Sequence, residues 1–265
     1  MFEFDAYAPK QIAERVEKLG VAKARMPFIP MLLLGILAGA YIGLGAMFFT
    51  LVKSDPSLGF AVGQVLGGLC FSLGLILVVV AGAELFTGNN LLAIAWADRK
   101  ITTAELLRNW AVVCIGNFIG AAGLALLIYL SAHPQMNQAA IAEQTLRIAQ
   151  TKIELSPVEA FFRGTLCNLL VCMAVWMALA GRSVIDKVVA IVFPITAFVA
   201  AGFEHSIANM YFIPLAMLLE NGDQITWLGF GGNLLQVILG NLVGGSVLVA
   251  LVYHVIYRRG TVNRQ

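Results

Sequence analysis

The sequence predicts an all-α membrane protein with six transmembrane helices in two inverted three-helix repeats, in which helices 2 and 5 are broken. Three observations lead to this fold class. Hydrophobic residues make up 60% of the 265 residues and charged residues only 12%, which leaves too little polar surface for a water-soluble fold. Six apolar stretches are long enough to cross a bilayer. A short polar motif recurs within the second and the fifth of them.

The apolar stretches cover residues 28–52, 59–96, 109–131, 158–180, 187–219 and 227–257. A helix needs about 20 apolar residues to cross a bilayer, and the second and fifth stretches are longer than one crossing requires. We therefore interpret each of these two as a helix, a break and a second helix. The backbone at each break has to face protein or water, because lipid cannot satisfy its hydrogen-bonding groups.

The recurring motif is Gly-x-Glu-x-x-x-x-Asn, at Gly82, Glu84 and Asn89 and again, 120 residues later, at Gly202, Glu204 and Asn209. A second pair of motifs follows at an offset of 124 residues: Gly116-Asn117-x-x-Gly120 and Gly240-Asn241-x-x-Gly244. Paired broken helices in corresponding halves of a chain indicate a membrane transport site. The sequence therefore predicts a pore or a carrier.

The basic residues predict the orientation of the spans. Thirteen of the 17 Lys and Arg lie in the N-terminal segment, between spans two and three, between spans four and five, and in the C-terminal tail. The other four are Lys53, Arg147, Lys152 and Arg163. The positive-inside rule then predicts that both termini are cytoplasmic. Because each repeat has an odd number of spans, the two repeats must be inverted relative to each other.

This topology divides the chain into an N-terminal amphipathic cytoplasmic helix (1–27), a first transmembrane repeat (28–131), an outer-face connecting segment (132–157), a second transmembrane repeat (158–257) and a cytoplasmic tail (258–265). In the N-terminal segment, Ile12, Val16 and Leu19 share one helix face and Gly20 offers a stop. Interfacial anchoring is the simpler interpretation of this helix, and a gating flap is the alternative.

His205 is the histidine that falls inside a span, whereas His133 and His254 fall at span ends. In a low-dielectric site, an imidazole can donate a hydrogen bond to a passing anion or exchange a proton with it. The alternative is a histidine that ties two helices together. Its position on a helix break favours a functional role.

Glu84 and Glu204 occupy equivalent places in the two repeats, and a carboxylate within the membrane needs partners. We expect each glutamate to accept hydrogen bonds from the free N–H groups of the resumed half-helix and so to stabilise its loop. A direct proton relay is the alternative. Asn89 and Asn209 are expected to cap or cross-link the same breaks.

Other kinds of site receive no support from the sequence. The four cysteines all lie within apolar spans, without Cys-x-x-Cys pairs or neighbouring ligands at metal-binding spacing, so we expect neither a disulfide nor a metal. We expect no cofactor. A net charge of +2 does not suggest nucleic-acid binding. An intramembrane enzyme built on Glu204 and His205 is the alternative of a different class, but a nucleophile-and-base arrangement is missing.

Three runs resemble the formate/nitrite transporter family: Ala-Glu-Leu-Phe-Thr-Gly (83–88), Cys-Asn-Leu-Leu-Val-Cys (167–172) and Gly-Phe-Glu-His-Ser-Ile-Ala-Asn-Met (202–210). The resemblance extends from about residue 8 to 258. It implies an aquaporin-like protomer in the cell's inner membrane, assembled as a homopentamer with one pore in each protomer. It also implies small monovalent anions and protons as the transported species.

The resemblance implies roles for nine residues. Three match the flexible loop of broken helix two: Leu85, Phe86 and Thr87. Four match the constrictions and centre of the pore: Phe71 on the cytoplasmic side, Phe198 on the outer side, His205 between the two and Asn209 beyond it. Two match the outer part: Lys152, which draws anions into the vestibule, and Asn168 on helix four. From position alone, Phe71 and Phe198 could equally be ordinary packing residues.

The expected substrate is formate, because Phe203 and the Ile213-Pro214 pair resemble the formate-channel branch. Nitrite, hydrosulfide, acetate, lactate and chloride are the alternatives. Gly88 departs from the pattern, since many formate channels have serine there. An aquaglyceroporin would fit the implied architecture, but Asn-Pro-Ala boxes are absent: Asn89 precedes Asn90 and Asn209 precedes Met210.

Overall fold

The computed structural model describes residues 6–219 and 224–258, and every regular element in these ranges is helical. The helices are α1 (Pro9–Ala24), α2 (Phe28–Lys53), α3 (Phe60–Ile76), α4 (Phe86–Asn89), α5 (Ala93–Ala97), α6 (Thr103–Leu130), α7 (Ala140–Ile153), α8 (Pro157–Ala178), α9 (Val184–Ala200), α10 (Ser206–Leu219), α11 (Trp227–Leu242) and α12 (Val252–Tyr257). π-Helical turns extend α3 over Leu77–Gly82 and join α11 to α12 over Val243–Leu251. From position 259 onward, the predicted tail lies outside the described residues.

Within the described ranges, five helices are long and apolar enough to cross a membrane: Phe28–Lys53, Phe60–Gly82, Thr103–Leu130, Pro157–Ala178 and Trp227–Tyr257. Each overlaps one predicted stretch. The remaining stretch, 187–219, is divided into α9 of 17 residues and α10 of 14 residues. Large apolar side chains lie on the outside of the helices, such as Phe60 at 79% and Leu228 at 86% exposed. Such a surface suits lipid or another protomer rather than water.

Both predicted helix breaks are present. The first lies at residues 83–85, between the π-helical end of α3 and α4, and the second at residues 201–205, between α9 and α10. At each break the glycine of the recurring motif adopts a left-handed backbone conformation, with φ +87° at Gly82 and +70° at Gly202. Glycine reaches this region without the steric penalty of a Cβ. The motif therefore places its glycine at the residue where each helix is interrupted.

Glycines allow two helix pairs to meet at backbone contact. A Cβ at Gly120 of α6 would collide with the carbonyl of Ile36 on α2. In the other half, a Cβ at Gly244 would collide with the carbonyl of Thr165 on α8 in the same way. Small residues are what membrane helices need for such close approach. The repeated Gly-Asn-x-x-Gly motifs thus bring α2 into backbone contact with α6, and α8 into backbone contact with the π-helical continuation of α11.

Polar caps explain where three helices begin. In each, the N-cap hydroxyl accepts a hydrogen bond from the third helical residue, and the side chain of that residue accepts one from the N-cap backbone: Thr102 with Glu105, Ser156 with Glu159 and Ser183 with Asp186. These capping boxes satisfy backbone donors that the first turn leaves free. They therefore mark the starts of α6, α8 and α9.

Two helices lie outside the long apolar segments. The sequence predicted that α1 stops at Gly20, and this is wrong, because the helix continues to its end at position 24. A Cβ at Gly20 would lie 3.2 Å from the Cβ of Ala95, so this glycine serves close packing against α5. α7 lies within the segment 132–157 that connects the two predicted repeats, and its Ile141 and Thr145 are buried.

Candidate functional site

The first break is held by a buried polar cluster around Glu84. Its Oε1 atom lies 2.9 Å from Nζ of Lys23, which comes from α1. Its Oε2 atom accepts a hydrogen bond of 2.7 Å from Nδ2 of Asn89. Asn89 also donates to Oδ1 of Asn109 at 3.0 Å, and Asn109 donates to the Lys23 carbonyl at 3.1 Å. The four residues form a ring that joins α1, α4 and α6 and is closed through the backbone carbonyl of Lys23.

The second break repeats this cluster with the same residue types. Oε1 of Glu204 lies 2.8 Å from Nζ of Lys152, which comes from α7. Asn209 donates to Oε2 of Glu204 at 2.7 Å and to Oδ1 of Asn233 at 2.8 Å. Asn233 donates to the Lys152 carbonyl at 2.8 Å. Helix α7 therefore supports the second break as α1 supports the first.

The backbone N–H groups at the breaks bind asparagine rather than glutamate. Asn117 accepts a hydrogen bond from the Phe86 N–H at 2.9 Å and donates to the Glu84 carbonyl at 2.9 Å. Asn241 accepts from the Ser206 N–H at 3.0 Å and donates to the Glu204 carbonyl at 3.0 Å. The expectation that the two glutamates accept hydrogen bonds from the N–H groups of the half-helices is therefore wrong. An asparagine amide takes this place because it can accept from the N–H group and donate to the neighbouring carbonyl.

Between the breaks, the Thr87 hydroxyl and the His205 imidazole are in contact. Oγ1 of Thr87 lies 3.1 Å from Nε2 of His205, and both side chains are buried. Nδ1 of His205 accepts a hydrogen bond of 3.2 Å from the backbone N–H of Ala208. Because Nδ1 is an acceptor, this hydrogen-bond pattern assigns the imidazole proton to Nε2, which faces Thr87. The ring is thus a neutral hydrogen-bond donor toward the threonine.

Two cavities approach this pair from opposite sides. The first, of about 320 Å³, includes Lys152 and other residues of α7 in its wall and is called the α7 cavity; His205 lies in its wall as well. The second, of about 360 Å³, includes Lys23 of α1 and is called the α1 cavity; Leu75 and Leu85 lie in its wall. The two cavities have no lining residue in common. The two cavities are therefore separate, and the part of the protein between them is called the closed segment.

Phe71 does not lie where the sequence placed it. Its ring contacts that of Phe198 edge to face at 5.6 Å, and both rings line the α7 cavity. Phe198 in turn stacks on His205 at 5.9 Å. The expectation that the two phenylalanines lie on opposite sides of His205 is wrong, because α3 and α9 pack together and bring both rings to the same side. On the α1 side the apolar constriction comes instead from Leu75 and Leu85, each 2% exposed.

The remaining predicted residues support the threonine rather than line a cavity. Asn168 donates to the Thr87 carbonyl at 3.2 Å, to Oδ1 of Asn90 at 2.7 Å and to the Asn241 carbonyl at 2.7 Å. It thereby ties the first break to the helix that holds the second. Phe86 is buried in the core, and its carbonyl accepts a hydrogen bond from Asn90 at 3.1 Å. Neither Phe86 nor Asn168 lines either cavity.

Several residues of the two clusters were not among the predicted site residues. Asn109 and Asn233 share the offset of 124 residues that relates Asn117 to Asn241, so the repeat could have identified them. Lys23 carries no such signal. It was counted only as a basic residue of a surface helix, although it is the counterpart of Lys152.

The chain is similar to known proteins along nearly its whole length. The sequence profile described as "Formate/nitrite transporter" matches residues 10–255. The chain belongs to the formate/nitrite transporter family. It is 39% identical over 274 aligned residues to the formate channel FocA of Escherichia coli K12, with 97% of this chain and 96% of that one covered. It is also 39% identical over 255 residues to the uncharacterized transporter YrhG of Bacillus subtilis, with 95% and 94% covered.

Solved structures of the family have the same fold. A pentameric formate channel with formate bound is 38% identical and superposes with a TM-score of 0.80, covering 86% of this chain and 96% of that one. An FNT family ion channel is 30% identical, with a TM-score of 0.85 and coverage of 93% and 98%. This chain is therefore a multi-pass membrane protein of a family of channels and transporters.

Proposed function

We propose that this protein is a channel for small monovalent weak-acid anions, formate first among them, and that the anion crosses the membrane at Thr87 and His205. The observation that carries the proposal is the 3.1 Å contact between these two buried side chains, at the point where two cavities approach each other. The similarity to proteins named as formate channels supports formate as the substrate. Nitrite is the alternative within the same family.

The proposed arrangement has six membrane crossings, in which α9 and α10 together form the fifth crossing. The equivalent clusters around Glu84 and Glu204 support two repeats. Their opposite orientation is supported by α2, whose Leu34, near its start, lines the α1 cavity and whose Lys53, at its end, lines the α7 cavity. With the positive-inside rule, the α1 cavity opens to the cytoplasm and the α7 cavity to the outside of the inner membrane. The similarity to a pentameric channel supports a homopentamer.

The energetic barrier is the apolar segment between the cavities. Moving an isolated carboxylate into such surroundings costs tens of kcal/mol in an idealised low-dielectric medium, whereas a neutral acid avoids that cost. Phe71 and Phe198 on one side and Leu75 and Leu85 on the other exclude the water that would otherwise solvate the charge. Formate therefore crosses as formic acid or as a pair that shares a proton with a donor.

His205 serves this step as a hydrogen-bond donor. A second ring proton would have to occupy Nδ1, where the N–H of Ala208 already points, so a charged ring would lose this bond and face a donor. The neutral ring instead presents Nε2–H to the substrate oxygen, and the Thr87 hydroxyl can both donate and accept beside it. The proton that neutralises the substrate then arrives as a hydronium ion from the solution that fills the cavity, and the water molecule that carried it returns to that solution. Flux should depend on pH and follow the combined gradients of anion and proton.

Lys152 and Asn209 complete the path on the α7 side. Lys152 places an ammonium 2.8 Å from Glu204 beside the second break, where it can hold an anion that has left bulk water. Asn209 anchors Glu204 at 2.7 Å. On the α1 side, Lys23 and Glu84 form the equivalent pair. An anion therefore meets the same kind of site at either end of the closed segment.

The test is formate flux through purified protein in proteoliposomes. The unaltered protein is expected to carry formate faster at pH 5 than at pH 7, and His205→Phe is expected to lower the flux at both pH values, because the Nε2–H donor is lost. A threonine control, Thr103→Ser at an exposed residue that lines neither cavity, should behave as the unaltered protein. Unchanged uptake by His205→Phe across pH would contradict the assignment. Competition of formate against nitrite at the same two pH values decides between the two substrates.

A further inference from the structure

Each lysine beside a break already has a carboxylate partner. Nζ of Lys152 lies 2.8 Å from Oε1 of Glu204, and Nζ of Lys23 lies 2.9 Å from Oε1 of Glu84. The two charges of such a pair nearly cancel at distances much greater than their separation, and salt screens what remains. These lysines can hold an anion at short range, but they do not explain how an anion is collected from bulk water.

The α7 cavity contains further cationic side chains, which belong to the basic residues that the positive-inside rule assigns to the outer side of the membrane. Lys53, Arg147 and Arg163 all line it, together with Lys152. Arg147 lies 3.5 Å from Glu143 on the exposed face of α7, so part of its charge is balanced. The three come from α2, α7 and α8, so they surround the cavity from different helices.

Within the part of the chain that the structure describes, Lys53 and Arg163 lack a close ion pair of this kind. Among the described residues, neither has a carboxylate within 4.0 Å. Glu159, one helical turn earlier in α8, is close enough to interact electrostatically with Arg163, but it is exposed and its carboxylate is bound to Ser156. The backbone carbonyl of Arg163 accepts a 3.3 Å hydrogen bond from the Glu204 N–H, which places this residue at the edge of the second break.

The α1 cavity has no equivalent. Among the described residues that line it, Lys23 and Glu84 are the ionisable ones, and they form an ion pair. Most of its other lining residues are apolar, including Val79 and Leu92. The two cavities are thus similar in volume and in their lysine–glutamate pairs, but they differ in unbalanced charge.

We propose that Lys53 and Arg163 form a second anion-binding site in the α7 cavity, in front of the Lys152–Glu204 pair. Small monocarboxylates and other singly charged oxyanions occupy it before they move to the closed segment. Both side chains attract the anion through their positive charge, which acts across the water of the cavity. The site makes anion capture stronger from the α7 face than from the α1 face, and it rests on the proposed function.

The experiment measures initial rates of labelled formate uptake in right-side-out and inside-out membrane vesicles that contain the full chain. Ionic strengths of about 0.01 M and about 1 M give screening lengths of about 30 Å and about 3 Å. At the lower value, Lys53→Gln and Arg163→Gln are each expected to raise the half-saturating formate concentration about threefold from the α7 face, and the double variant about tenfold. The shift should disappear at the higher ionic strength.

Two controls separate charge from structure. Lys187→Gln makes the same charge change away from both cavities and is expected to leave half-saturation unchanged. Arg163→Lys keeps the charge and is expected to stay within about twofold of the unaltered chain, because long-range attraction depends on net charge. From the α1 face, all variants should remain within about twofold.

Three results would overturn the proposed site: no shift at low ionic strength, an equal shift from both faces, or a shift that persists at high ionic strength. Arg163→Lys as impaired as Arg163→Gln would also contradict it. These outcomes are distinct from failure of the proposed function. If the unaltered chain carried no more formate than vesicles that lack it, both proposals would be wrong.

Discussion

The two helix breaks have the same supporting contacts, but the residues that they place at the centre of the protein differ. Around each, a lysine, a glutamate and two asparagines form the same ring of contacts, and a further asparagine holds the backbone on both sides. The residues that reach the centre are not repeated. At an offset of 120, Leu85 corresponds to His205 and Thr87 to Ile207. The repeat therefore preserves the means of interrupting a helix, while one histidine and one threonine, each from a different break, meet at the centre.

This comparison predicts unequal costs when the two ion pairs are broken. Glu204→Gln leaves Lys152, whose side chain is 12% exposed, without its partner, whereas Glu84→Gln does the same to Lys23 at 28% exposed. Removing one partner of a buried pair costs about 3 kcal/mol, and the cost falls as water reaches the remaining charge. Thermal unfolding in detergent should therefore show a larger loss for Glu204→Gln. An equal or larger loss for Glu84→Gln would contradict this difference.

The equivalent glycine contacts should be equally intolerant of a side chain. Gly120→Ala and Gly244→Ala each force a methyl group into a carbonyl of the neighbouring helix, at a cost of about 2 kcal/mol or more for an overpacked contact. Gly123→Ala is the matched control, because a Cβ there meets no atom within 4 Å. Thermal midpoints measure the effect. A Gly244→Ala variant as stable as Gly123→Ala would show that the second helix pair is more loosely packed than the first.

The central pair should be sensitive to the loss of one hydroxyl. Thr87→Val leaves Nε2–H of His205 without the acceptor that lies at 3.1 Å. An unsatisfied buried donor costs about 1–3 kcal/mol, so formate flux should fall about tenfold. Thr87→Ser should restore most of the flux. Ile207→Val, at the equivalent position of the other break, should change flux less than twofold, because no hydrogen bond is lost. Comparable losses at the two positions would contradict the assigned roles.

The α1 side also carries a buried charge cluster that links α1, α5 and α12. Glu17 contacts Arg258, Nε of Arg258 lies 2.9 Å from Oδ2 of Asp98, and Nδ1 of His254 lies 3.2 Å from Oδ1 of Asp98. Burial and a hydrogen bond with Asp98 raise the pKa of Glu17 from 4.5 to about 7, although the charge of Arg258 opposes this shift. Burial alone would raise the pKa of Asp98, but its bonds to Glu17 and Arg258 lower it.

A raised carboxyl pKa means that the folded protein holds a proton that the unfolded chain releases. The stability that Glu17 contributes is therefore full below about pH 4.5 and is lost as pH rises through about 7. Thermal stability should decrease from pH 5 to pH 8, and Glu17→Gln should reduce this slope. A slope that is unchanged in Glu17→Gln would contradict the role of this carboxyl.

The elements were predictable wherever a local pattern determined them. Apolar length located the long helices, and the positions of Gly82 and Gly202 located the breaks, because a polar motif inside an apolar stretch is incompatible with a continuous lipid-exposed helix. The end of α1 was not predictable. Gly20 usually signals a stop, but its close contact with Ala95 keeps it within the helix, and that contact depends on how α1 docks.

The candidate site was only partly predictable for the same reason. His205 and Thr87 could be named from their motifs, but their contact joins residues 118 positions apart. Phe71 was assigned to the wrong side of His205, because a position along α3 does not tell which neighbouring helix the ring will meet. Lys23 was overlooked, since an amphipathic surface helix gives no indication that one lysine turns inward.

The order of residues along the chain thus determined the spans, the breaks and their duplication, since these depend on apolar length, glycine and motif spacing. Only the tertiary structure decided which groups meet: the lysines with the glutamates, the asparagines with the backbone, and the threonine with the imidazole. These contacts join helices that are far apart in sequence. Their geometry depends on close packing between backbones, which no local pattern specifies.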